Sequence, residues 1–253
     1  MEIRDTERRS FSSKHYEAPF EIDIFLPKSY ATSNKNYPVV YILDAEYNFG
    51  LTSYVTRRLI KNKDIEEVIL VGIAYDVVYE TFYRARGRDL TPTHHKSFIP
   101  SGQSAKFLNF LSDELIPFIE KNYRTQKVRA IVGHSFGGLF GYSAMFSGKS
   151  PFQKYLLVSP SLWWDEKVIF RIEQDFAKKN NAIRAKVFTS VGDVEGKMVK
   201  QLAQMVKVLK SRNYNGLEIS HRVHEDENHR SVFATAFSKG MRHLFRRSSV
   251  SSD

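Results

Sequence analysis

The chain contains no cysteine. That excludes a disulfide framework, a thiol nucleophile and zinc–thiolate sites. Long apolar runs are also missing. The longest, Val68 to Ala74, falls far short of the ~18 residues of a membrane-spanning helix and suits a buried strand. The first residues, Met1 to Ser10, are charged and hold no apolar stretch of the kind that marks a secretory leader. These absences predict a cytoplasmic protein without a membrane partner. Repeats and low-complexity linkers are lacking as well, and only residues 247–253 read as a polar tail. One domain over residues 1–246 is therefore expected, of a size that buries about three quarters of its unfolded surface without covalent staples.

Acidic side chains are outnumbered. Lys and Arg total 38 against 28 Asp and Glu, for a formal charge of +10. Such an excess attracts anions. The basic residues are nevertheless scattered from Arg8 and Arg9 to Arg246 and Arg247, without interleaved aromatics. No nucleic-acid motif accompanies them, so nucleic acid is not an expected partner.

What is present is an alternation of strand and helix patterns. Phe20 to Leu26 alternates apolar and polar residues until Pro27 stops it. Continuous apolar runs at Val39–Leu43, Glu67–Ala74, Lys127–Val132, Tyr155–Val158 and Ala185–Val191 suit strands covered on both faces. Leu217–Val223 alternates again. Helical spacing marks Ser104–Lys121, with a kink or an end predicted at Pro117. Leu139–Met145, Lys167–Lys178, Gly196–Leu209 and Ser231–Phe245 read as further helices. Strands alternating with helices predict an α/β fold with a mostly parallel central sheet and helices on both faces. Ligands then bind outside the carboxyl ends of the strands, so loops that follow strands are where chemistry is expected.

One such loop carries Gly133-His134-Ser135-Phe136-Gly137, between a buried strand and an apolar helix. The pattern G-x-S-x-G is weak alone. Its strand–turn–helix setting is that of a nucleophile elbow, with Ser135 at a helix N-terminus where peptide dipoles favour developing negative charge. A serine hydroxyl needs a base to take its proton. His229 lies in a polar loop after the last strand and before the final helix, the order in which triads on this fold run. His221 and His224 compete from within or at the end of that strand. The acid is expected after Ala185–Val191, where Asp193 and Glu195 both qualify. Residue chemistry alone does not choose between them. Asp193 capping a helix while Glu195 reaches His229 would satisfy both.

With these segments in place the chain resembles the Putative esterase family of α/β-hydrolases, in its siderophore (enterobactin and salmochelin) esterase-like branch. The resemblance runs through Val40 to Asp44 with Tyr47 and Phe49, Arg88 to Pro92, and Ser101-Gly102. It continues through Glu114 to Pro117, Gly133 to Gly138, Ser159 to Trp164, Gly192 to Glu195, and Glu227-Asn228-His229. It implies an α/β-hydrolase fold, a carboxylic ester hydrolase, and an acid three residues after Gly192, at Glu195. Some relatives rely on a Ser–His pair. One departure is Ala45, where relatives carry glycine in the region that supplies an oxyanion amide.

The resulting expectation is an acyl-enzyme mechanism with Ser135 as nucleophile, His229 as base and Glu195 as its orienting acid. The amides of Phe136 and Glu46 would hold the oxyanion. No metal or organic cofactor is expected. The partner is a small-molecule ester, with siderophore-type and aromatic-acid esters the leading candidates. An acyltransferase with an alcohol acceptor and an S-formylglutathione hydrolase-like thioesterase are the alternatives. The segment Val77–Gln103 should overhang the site as a long loop. Its Arg84, Arg86 and His95, with Trp163 and Trp164 from another loop, are the candidate substrate contacts for an anionic ester.

Overall fold

The computed structural model describes residues 5–75 and 79–247, so the polar tail from residue 248 onward lies outside the described residues. Among the described residues eight strands form one sheet. They are β1 (Thr6–Phe11), β2 (Phe20–Phe25), β3 (Tyr37–Leu43), β4 (Ile69–Tyr75), β5 (Thr125–His134), β6 (Lys154–Val158), β7 (Ala182–Gly192) and β8 (Asn215–His224). Their order across the sheet is β1-β2-β4-β3-β5-β6-β7-β8. The pairs β1–β2 and β2–β4 are antiparallel and all the others are parallel. Every residue of β3 and of β4 is buried, as central strands covered on both faces require.

The helices are α1 (Ala45–Lys61), α2 (Tyr79–Leu90), α3 (Ser104–Phe110), α4 (Ile116–Asn122), α5 (Phe136–Met145), α6 (Trp164–Ala177), α7 (Lys197–Arg212) and α8 (Val232–Phe245). Two apolar clusters lie on opposite faces of the sheet. One joins Val40, Ile42 and Leu156 to Phe49 of α1 and to Phe237 and Met241 of α8. The other joins Tyr41, Ile131 and Leu157 to residues of α2 through α7, with Leu139 and Phe140 of α5 at its centre. The mostly parallel sheet with helices on both faces is thus the observed architecture.

Four features depart from expectation. Strand β1 has the sequence TERRSF, which carries no apolar alternation; it is held at the sheet edge through β2, where Arg8 faces Asp23 and bonds it at 2.7 and 2.9 Å. Helix α1 follows β3 directly, and α2 occupies Tyr79–Leu90 of the segment expected to be a loop. Among the described residues of that segment, Thr91–Gln103 is the part free of helix and of the named strands. Pro117 neither ends nor sharply breaks its helix. A π-turn at Leu111–Leu115 joins α3 to α4 directly before it. Widening the turn there accommodates a residue that cannot donate to the helical ladder.

Candidate active site

The carboxyl ends of β3, β5, β7 and β8 gather the chemistry. Ser135 occupies the turn between β5 and α5 with φ 60° and ψ −115°, a region costly for any residue bearing a Cβ. Neighbouring chain holds it there: its amide donates to Val158 O at 3.0 Å, and its carbonyl accepts from the amides of Leu139 and Ser161 at 3.0 and 3.1 Å. Gly133 makes the turn possible, since a Cβ there would lie 2.2 Å from the carbonyl oxygen of Gly137. The Ser135 hydroxyl lies 3.2 Å from that of Ser161, which is itself buried.

Glu195 sits in a short 3₁₀ turn after β7, three residues beyond Gly192. Its side chain is 2% exposed. Oε2 lies 2.6 Å from Nδ1 of His229, and Oε1 accepts from the Ser159 hydroxyl at 2.5 Å and the Gly192 amide at 2.7 Å. Burial alone would push this carboxyl up. The hydrogen bonds from His229, Ser159 and Gly192 outweigh it and hold the group below the usual glutamate range. Asp193 points elsewhere: its Oδ1 accepts the amide of Glu227 at 3.3 Å and caps no helix. The loops carrying Glu195 and His229 touch closely. A Cβ at Gly192 would lie 2.0 Å from the carbonyl oxygen of Glu227.

Ser135 and His229 line one pocket of about 570 Å³ with Asp44, Tyr47, Phe82, Tyr83, Arg86, His134, Arg230 and Phe233. The imidazole of His134 lies 4.6 Å from that of His229, tilted by 35°. Burial, followed by the charges of His229 and Arg86, pushes His134 down to about 3, so its ring is neutral at any physiological pH. His224 is buried at the end of β8 and His221 lies within that strand; neither lines the pocket.

Two helix N-termini open toward this pocket. Phe136 is the first residue of α5, and Glu46 the second of α1, whose cap Asp44 lies in the left-handed region at φ 56°. Burial pushes the Glu46 carboxyl up to about 7, opposed by hydrogen bonds from its own amide and from the Tyr75 amide. The Glu46 amide is therefore engaged by its own side chain.

The candidate substrate contacts separate. Arg86 lines the pocket, but its guanidinium is bound to the buried Asp44 at 2.6 and 2.9 Å and donates to His134 O at 3.3 Å. Arg84 is exposed on α2 and outside the pocket lining. Trp164 is fully buried under the Thr91–Gln103 loop, with its indole N–H donating to Oγ1 of Thr93 at 3.1 Å. His95 packs on it at 5.4 Å. Of the two tryptophans Trp163 is the exposed one, 6.1 Å from the ring of Phe136. Sequence reading did not single out Arg230, which stands at the pocket beside His229. Its position next to the candidate base was the available signal. Tyr83 and Phe233 needed the helices to be placed first. Among the described residues no group of three or more His, Asp or Glu side chains is placed to ligate a metal ion, and no helix is long and apolar enough to cross a membrane.

Comparison with known proteins matches residues 13–244 to the family described as Putative esterase. The chain is 29% identical to ferri-bacillibactin esterase BesA of Bacillus subtilis (strain 168), over 95% of this chain and 89% of the relative. It is 27% identical to a siderophore enterobactin esterase of Emericella nidulans, with 90% of each chain covered. An IroE-like serine hydrolase from Shewanella oneidensis superposes with a TM-score of 0.86 at 28% identity, covering 95% of this chain and 80% of that one. The chain belongs to this esterase family, in its siderophore-esterase-like branch, and is a carboxylic ester hydrolase of the α/β-hydrolase fold.

Proposed function

We propose that this member of the family cleaves siderophore-type esters through an acyl-enzyme on Ser135. The observation that carries the reading is the His229–Glu195 hydrogen bond in the pocket that also holds a serine on a strained strand-to-helix turn. Glu195 keeps the proton of His229 on Nδ1, which leaves Nε2 to accept the Ser135 proton. The freed Oγ attacks the ester carbonyl. The amide of Phe136, at the start of α5, meets the oxygen anion, while the Glu46 amide expected beside it is taken up by its own carboxyl; one such donor is worth ~2.7–4 kcal/mol. His229 then protonates the leaving alkoxide, deprotonates a water, and the water releases the acid from Ser135.

The relatives act on ferri-bacillibactin and on enterobactin, as their names state. In this chain the pocket combines Tyr47, Phe82, Tyr83 and Phe233 with Arg86 and Arg230. Aromatic rings beside guanidinium groups suit an anionic aromatic acyl group such as a catecholate. Because Asp44 neutralises Arg86, Arg230 is the cation that meets such a substrate.

The test is a panel of ferric trilactone siderophores, acetylated sugars and S-formylglutathione, run with and without an alcohol acceptor. Highest kcat/KM on the trilactones, with the acid as product, supports the reading. Preference for the thioester, or transfer of the acyl group to the alcohol, overturns it.

A further inference from the structure

A second groove, of about 520 Å³, lies between the edge of the sheet and the carboxyl-terminal half of α8. Lys239, Arg242 and His243 face it from α8 at i, i+3 and i+4, one stripe of an α-helix, and Arg246 faces it from the residue just past the end of that helix. Lys186 of β7 and Arg222 of β8 face them from the sheet. Phe233 of the ester pocket is near the other end of α8. At 1.5 Å per residue the stripe therefore lies roughly 10–20 Å further along the helix.

Five formal cations thus converge on one recess, and among the described residues no carboxylate lines it. The acid at its rim is Glu218, exposed and 3.8 Å from Lys186. Elsewhere the pattern is the reverse. Arg8, Arg86, Arg129 and Arg212 each hold a carboxylate within 3 Å. Like charges that outnumber the neighbouring carboxylate repel one another and focus a positive potential into the recess. His243 senses that field. Burial pushes its imidazole down, and Lys186, Arg222 and Arg246 push it further against the opposing Glu218.

We propose that this groove binds a small ligand carrying two or more phosphate groups, at a site separate from the ester-cleaving pocket. Three of the five cations are arginines, whose planar forks pair with phosphate oxygens two at a time. They stand with the two lysines on three different elements, so tetrahedral phosphates between the walls can be held from both sides. A flat or convex anionic surface would engage the rim and leave the recess unfilled.

Titration calorimetry with inorganic tripolyphosphate tests this. Arg222→Glu/Arg242→Glu alters exposed groove side chains. Lys121→Glu/Lys207→Glu, also exposed, makes the same change in net charge elsewhere. Circular dichroism and p-nitrophenyl acetate turnover should match the parent in both, which confirms folding. Saturable one-to-one binding is expected. The groove variant should weaken it about 100-fold, two charge-assisted hydrogen bonds lost at roughly tenfold each. The control should barely change it. Tripolyphosphate should also raise the titration midpoint of His243 followed by NMR. Equal weakening in both variants would reduce the effect to bulk charge and overturn the proposal, as would the absence of saturable binding. Groove-dependent sedimentation with phosphatidylinositol phosphate vesicles but no tripolyphosphate binding would overturn it in favour of a lipid surface.

Discussion

Arg86 and Asp44 are joined by two hydrogen bonds that tie α2 to the start of α1, and both partners are buried. Removing one partner of such a pair leaves an uncompensated buried charge and costs about 3–5 kcal/mol. Arg86→Ala should therefore lower the melting temperature and impair neutral and anionic esters alike. Calorimetry and parallel kinetics on p-nitrophenyl acetate and an anionic ester check it. A selective rise in KM for the anionic ester, with unchanged stability, would return Arg86 to substrate recognition.

Arg230 should behave differently, being exposed at the pocket. Arg230→Ala is expected to raise KM for an anionic ester by roughly threefold to tenfold and leave p-nitrophenyl acetate turnover unchanged. The difference should shrink in high salt, because the Debye length falls from ~10 Å at 0.1 M to ~3 Å at 1 M. Steady-state kinetics at the two salt concentrations decide the matter.

Glu195 and Asp193 make a sharper pair. Glu195→Gln should reduce kcat by about 10²- to 10⁴-fold through the loss of an orienting acid. Asp193→Asn should stay within about twofold, the scale of a surface substitution. Because the folded structure holds the Glu195 carboxyl below its usual range, its contribution to stability is present above the unfolded carboxylate pKa of ~4.3. It fades as pH falls through the folded value. The stability gap between the parent and Glu195→Gln should accordingly close in acid. Equal kcat in Glu195→Gln and the parent would leave a Ser–His pair.

Ser135→Ala and His229→Ala should each abolish nearly all turnover, and the double variant should be little worse, because the two groups act as one unit. An organophosphonate should label Ser135, as peptide mass spectrometry can read directly. Losses that multiply independently would dissolve the unit.

His134 offers a prediction on stability. Its folded pKa, pushed down to about 3, lies below the ordinary histidine value of ~6.5. Between those two values the unfolded chain takes up a proton that the folded chain refuses, so stability falls as pH falls. His134→Gln should flatten the dependence of melting temperature on pH from 7 toward 4 relative to the parent. An unchanged slope would show that the ring is protonated in the fold.

Legibility in the sequence followed the apolar pattern. The strands β2 to β7 announced themselves because their burial is made largely of Val, Ile, Leu and Phe, and β8 through the alternation of half-buried Leu217 and Ile219 with polar residues. Helix α1 did not, because its buried face runs through Thr52, Ser53 and Thr56, and the hydroxyls of Thr52 and Ser53 bond back to the helix's own carbonyls. Polar residues that satisfy themselves in this way erase the 3.6-residue signal. Helix α2 hid in the same manner behind Arg86 and Asp89, which are buried as ion pairs. At the site, residue chemistry left Asp193 and Glu195 level, and it was the family resemblance that implied Glu195, the residue that meets His229. The arginines misled, since a sequence shows a cation without showing that Asp44 already holds it.

The contact between Gly192 and Glu227 has a dynamic consequence. With no room for even a methyl group between them, the loop of the acid cannot swing outward unless the loop of the base yields too. Thr235 tethers the second loop to α8 through a hydrogen bond to Glu227. The two loops should then open as one cooperative segment, and amides in both should exchange with solvent at a common free energy rather than as separate frayed ends. Thermal motion large enough to part His229 from Glu195 would on this account be a rare collective event, and the alignment of the pair would persist between turnovers.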